Sequence, residues 1–74
     1  MTTFSAWLRL QRDREDPVGD LARDFIEGTL RGHHGRTYRT VHGFRRMLDR
    51  VGASPLVYLS LDRASAEFDR VTAV

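Results

Sequence analysis

The residues of this chain that could do chemistry fall into four groups: a run of acids, three histidines, four serines and a stripe of arginines. The acids come first, in RDREDPVGDLARD (residues 12–24), where Asp13, Glu15, Asp16, Asp20 and Asp24 crowd together. General acid–base work needs two carboxyls at one reacting bond with their pKa values pushed apart. Here Asp16 stands before Pro17, the arrangement of a helix N-cap followed by a first-turn proline. Asp20 then falls in the first turn, facing the positive end of the helix dipole. Arg12, Arg14 and Arg23 are near enough to neutralise the others. The run therefore reads as the start of a helix, with Asp16, Pro17 and Asp20 as structural caps.

The histidines are His33, His34 and His42. Adjacent histidines seldom aim both rings at one ion, and with no cysteine there is no thiolate to complete a metal site. No metal or other cofactor is expected. GHHGR has a glycine on each side, as an anion nest would. It lacks the length and Lys-Ser/Thr ending of a phosphate loop, and no strand precedes it. Ser5, Ser54, Ser60 and Ser65 read as helix or cap residues, and none sits on a strand-to-helix elbow. No catalytic set emerges, and the chain reads as a non-enzyme without a small-molecule substrate.

The arginines carry the clearest signal. All twelve basic residues are arginine, and the net charge of +2 is unevenly spread. Residues 1–30 sum to −2, residues 31–50 to +5 and residues 51–74 to −1. On a helix at 100° per residue, Arg39, Arg46 and Arg50 fall within about 20° of one line. Arg36 and Arg45 lie close by. Such a face attracts a phosphate backbone by charge and counterion release. It serves equally as a solvated face or as a surface for a protein partner. Arg36, Arg39, Arg45, Arg46 and Arg50 are thus the candidate contacts for protein or nucleic acid. The acids Asp20, Asp24 and Glu27, on the outer face of the preceding helix, add the option of head-to-tail self-association.

The elements that must position these residues are helical. Seventy-four residues make one domain. Val57, Leu59 and Leu61 alternate, but no second run exists to pair with them. The first helix is expected over about Thr3–Gln11, capped by Thr2 or Thr3. The second starts at Pro17, with Val18, Leu21, Ala22, Phe25, Ile26, Thr29 and Leu30 inward. Arg23–Glu27 and Glu27–Arg31 pair across its outer face, and Gly32 and Gly35 end it. The third is expected from about Thr37 to Val51, with Gly52 as its stop and Val41, Phe44, Leu48 and Val51 inward, Met47 beside them. Gly43 weakens its middle, so Tyr38–His42 could form a separate turn. Ser54-Pro55 opens the last segment, with Val57, Leu61, Ala64, Phe68 and Val71 on one face. Ser60 or Asp62 could cap a fresh helix there, leaving open whether residues 54–72 form one helix or two. The expected core is Phe4, Trp7, Leu8, Val18, Leu21, Phe25, Val41, Phe44, Leu48, Leu61 and Phe68. MTTFSAWLRL lacks the pattern of a signal peptide, and no apolar run reaches membrane length, so a cytoplasmic protein with no membrane contact is expected.

Phe4-x-x-Trp7-Leu8, then Asp16-Pro17-Val18-Gly19-Asp20-Leu21-Ala22-x-Asp24, then Leu61-Asp62-x-Ala64-x-x-x-Phe68 together resemble the YozE-like family. These are small bacterial proteins with a fold like a sterile alpha motif, and the resemblance covers about residues 4–71. Two features depart from it: the stretch GHHGRTYRTVHGFRR is more basic, and Ser65 stands where a large aromatic is expected. The resemblance implies a compact all-α bundle of four or five short helices without catalytic residues, serving as an interaction module of unknown partner. Nucleic-acid binding through the third helix is the alternative.

Overall fold

In the computed structural model the described residues are 2–30 and 39–73. Among them the chain forms four helices and no strand: α1 (Phe4–Arg9), α2 (Pro17–Leu30), α3 (Val41–Val51) and α4 (Pro55–Thr72). The all-α bundle expected from the sequence is what forms. None of these helices is long and apolar enough to cross a membrane.

Helices α1, α2 and α3 each begin where a side chain accepts from a free amide, whereas Ser54 before α4 makes no such bond. Thr3 caps α1, its Oγ1 accepting from the Ala6 amide at 3.2 Å. The helix ends at Arg9 rather than Gln11. The amides of Leu10 and Gln11 bond to Trp7 and Leu8 in tighter turns, and the Leu10 side chain points away from the core into solvent. Asp16 caps α2 as expected: its Oδ1 accepts from the Gly19 amide at 2.9 Å, and Pro17 takes the first helical position.

Helix α3 starts later than the sequence suggested. Thr40, not a residue near 37, is its N-cap, with extended backbone and a 3.0 Å bond from the Gly43 amide. Arg39 therefore precedes the helix. Gly52 ends it in the left-handed conformation at φ 67°, as the glycine stop implied. Residues 55–72 form one helix and not two. Ser60 caps nothing; its hydroxyl donates to the Leu56 carbonyl one turn back.

The core holds Phe4, Leu8, Val18, Leu21, Phe25, Phe44, Leu48 and Leu61, as expected, together with Ala22, Met47 and Ala64. Trp7, Val41 and Phe68 pack at its edge and are half-buried. Phe4 is the hub of the aromatics, meeting Phe44 edge-on at 6.2 Å and Phe68 at 5.6 Å between ring centroids. Helix α4 packs against each of the other three helices. Two residues assigned inward are out. Val51 is 67% exposed and Val71 64%. Each sits in the last turn of its helix, past the final aromatic or leucine that reaches the core, and the chain reverses at Gly52 directly after Val51. The side chains of Thr29 and Leu30, the pairing of Arg31, the glycines Gly32 and Gly35, and Tyr38 lie outside the described residues.

Candidate functional site

Of the arginines expected to form a face with α3, Arg39, Arg45, Arg46 and Arg50 are among the described residues. Arg36 lies outside the described residues. Arg39 is exposed but belongs to the bend before α3, where its carbonyl accepts from the Ser5 amide at 3.3 Å. Arg45 points across to α4. Its guanidinium pairs with Asp62 and lies 6.0 Å from the centre of the Tyr58 ring. Tyr58 in turn donates to Asp49 Oδ1 at 2.5 Å, and this bond raises its hydroxyl pKa above the usual range. Arg46 and Arg50 remain exposed, one turn apart on α3.

The acids of residues 13–24 do not converge either. Asp13, Glu15, Asp20 and Asp24 are exposed, and Asp20 pairs with Arg23. Arg23 also donates to the carbonyls of Arg12 and Arg14, at 2.6 and 2.9 Å, gathering the α1–α2 loop onto α2. Asp16 is the exception, since it joins a network that the sequence reading missed.

That network centres on Arg14. Its Nε and Nη2 donate to Asp16 Oδ2 at 3.0 and 2.6 Å, while Nη1 and Nη2 form a fork onto Glu67 at 2.8 and 3.1 Å. Gln11 Oε1 accepts from Nη1 at 3.3 Å. Arg63 approaches Asp16 more loosely, at 3.7 Å. The fork is the bidentate geometry in which arginine holds a carboxylate best. It ties the α1–α2 loop to the fourth turn of α4, 53 residues away.

The protonation states follow. The Gly19 amide, then Arg14, hold the Asp16 carboxyl below the usual carboxylate range. Arg14 does the same to Glu67, and the Arg14 guanidinium is held charged by both. A carboxyl whose native pKa is depressed stabilises the fold above its unfolded pKa, and that contribution goes as pH falls through the native value. Thermal midpoints are therefore expected to fall once pH drops below about 4.5, the ordinary Glu value. Replacing Glu67 by Gln should flatten that fall. An acid limb in Glu67→Gln as steep as the wild type's would mean that the fork does not couple to folding.

Beside the fork lies a groove of about 390 Å³ lined by Trp7, Gln11, Arg14, Glu67, Arg70 and Val71. Its charged pair is spent internally. Among the described residues no group of three or more His, Cys, Asp or Glu stands together as a metal site would, and His42 is exposed. His33 and His34 lie outside the described residues.

One surface went unread in the sequence. Leu56 and Leu59, on the outer side of α4, are 73% and 63% exposed. Arg63 and Arg70 continue the same side, whereas the acids Asp62 and Glu67 turn to its flanks and are bound by Arg45 and Arg14. The available signal was helical period: once 55–72 is one helix, Val57, Leu61 and Phe68 fix the inner face and so define the outer one.

In comparisons with family models, with curated proteins and with solved structures, nothing matches this chain.

Proposed function

We propose that this domain is a small, non-catalytic protein-interaction module, of the YozE-like, sterile-alpha-motif-like kind that its Phe4, Asp16–Asp24 and Leu61–Phe68 motifs resemble. The observation that carries the proposal is the outer face of α4, where Leu56 and Leu59 stand in solvent and Arg63 and Arg70 follow on the same side. An apolar centre with a polar rim is what a protein-binding patch requires. The described side chains also include no buried polar or charged group, the usual place of a tuned acid or base.

The test is cross-linking capture with the whole chain as bait, wild type against Leu59→Asp. Leu59 is exposed, so this change should leave the fold intact. Proteins retained by the wild type and lost by the variant are the expected result. An identical set from both baits would refute the reading.

The second reading is nucleic-acid binding by Arg46 and Arg50, which are exposed one turn apart. Two such contacts give a shallow salt dependence, with a slope of roughly −0.9 per phosphate neutralised. Titration of a labelled duplex at low salt decides it, with Arg46→Glu/Arg50→Glu expected to abolish binding if that face is used.

A further inference from the structure

The groove beside the Arg14–Glu67 fork has one charge left over. Trp7, Gln11 and Arg14 line it from α1 and the loop that follows, and Glu67, Arg70 and Val71 from α4. Arg14 has no donor to spare. Its five N–H groups are engaged by Asp16, Glu67 and Gln11. Glu67 receives one of these bonds on each carboxylate oxygen. Gln11 is held at both ends, its Oε1 accepting from Arg14 and its Nε2 donating to the Trp7 carbonyl at 3.1 Å. Arg70 differs. It is exposed, and among the described residues it makes no ion pair. Asp69 is exposed too, but it lies about 160° round the helix from Glu67 and does not line the groove. The lining therefore carries one uncompensated positive charge.

The same groove has an apolar part. Trp7 is half-buried, and its ring is held by Phe4 and Phe68 at 6.1 and 5.7 Å between ring centroids. It is in place before a ligand arrives, so binding need not order it. Val71 is 64% exposed and stands across from it on α4. A fixed aromatic wall, an apolar rim and one free cation complement an apolar body that ends in a carboxylate. The volume of about 390 Å³ is in the range of small-ligand sites. An extended peptide chain would instead draw on main-chain partners, and helices bond theirs internally.

We infer that the α1–α4 groove binds a small aromatic monocarboxylate, with the ring against Trp7 and Val71 and the carboxylate on the Arg70 guanidinium. This goes beyond the protein-interaction reading and does not rest on it, because Leu56 and Leu59 take no part in the groove. The fork forms a wall of the site. It ties the loop to α4, and Arg14 neutralises Glu67, which would otherwise repel an incoming acid.

Trp7 is the only tryptophan of the chain, so its indole N–H gives one signal in a proton–nitrogen correlation spectrum of the whole protein. Titration with phenylpropanoate should move that signal and the Arg70 Nε–H signal along one saturable curve, with a dissociation constant on the order of 1 mM or tighter. The neutral amide of the same acid should bind about 10-fold more weakly, and so should the acid to Arg70→Gln, since each loses a charge-assisted hydrogen bond. Val71→Asp should abolish binding, and Leu59→Asp should leave it unchanged. All three substituted positions are exposed, and the remaining signals verify that each variant is folded. No saturable shift up to about 10 mM overturns the inference. Equal binding of acid and amide also overturns it, because no cation would then select the ligand. A tripeptide ending in a phenylalanine carboxylate that binds more tightly than the small acid would assign the groove to a chain end instead. Loss of binding in Leu59→Asp would move the site to the leucine face of α4 and refute the groove.

Discussion

Gly19→Ala lowers the thermal midpoint of this domain by about 10 °C, even though alanine is the better helix former. On an exposed helix the exchange would gain about 1 kcal/mol. Gly19 is not exposed. It is buried in the first turn of α2, where the α1–α2 loop crosses it. A Cβ placed on its backbone would lie 1.9 Å from the Arg14 carbonyl oxygen and 2.7 Å from its carbon. Both atoms are main chain, so no side-chain rotation relieves the clash. Either the loop lifts from α2 or the helix tilts. The same carbonyl accepts from Arg23, and the Arg14 side chain holds Asp16 and Glu67, so a displaced loop strains these bonds together. Overpacking of this sort costs about 1–3 kcal/mol and sometimes more, which exceeds the propensity gain. Thermal and urea melts of the purified variant check it. A Gly19→Ala protein more stable than the wild type would show that the loop does not press on α2.

Phe44→Ala has the largest expected effect and should remove a large share of the domain's stability. Phe44 is 1% exposed, edge-on to Phe4 and 5.1 Å from the Phe25 ring centroid. It joins α3 to α1 and α2 at one point. Truncation there costs about 3–5 kcal/mol. At roughly 0.05–0.15 kcal/mol per residue, a domain of this size has only about 4–11 kcal/mol in total. Phe44→Leu keeps most of the volume and should retain cooperative melting at a lower midpoint. Equilibrium urea unfolding distinguishes the two. A Phe44→Ala variant within about 1 kcal/mol of wild type would place the core elsewhere.

Where a feature depended on neighbours in sequence, the sequence revealed it. Asp16-Pro17 is a cap because the carboxylate lies within reach of the Gly19 amide whatever the rest of the chain does. Gly52 ends α3 for a similarly local reason. The inner faces of α2 and α4 follow from period, which is why Val18, Leu21, Phe25, Leu61 and Ala64 were placed correctly. Helix ends were less legible. Thr37 and Thr40 are equally good caps in isolation, and choosing Thr37 put Arg39 on a helix it precedes. Val51 and Val71 keep the period of their helices, but the period says nothing about where the neighbouring element stops.

The candidate site was the least legible part. Whether Arg45 faces solvent or Asp62 depends on how α3 lies across α4. Whether Arg14 finds Glu67 depends on a loop bringing together residues 53 positions apart. The outer side of α4 became visible only once Asp62 and Glu67 were seen to be tied down by Arg45 and Arg14.

The position of α4 in the chain bears on how the protein is made. This helix is made after the other three, yet it is the one that packs on all of them. Until Leu61, Ala64 and Phe68 have left the ribosome, α1, α2 and α3 have no wall to close against, and Phe4 and Leu8 stay open to water. A domain built this way folds once α4 has been made rather than stepwise from α1. A premature stop anywhere before Phe68 should therefore leave an unfolded chain for proteases to clear, not a shortened domain.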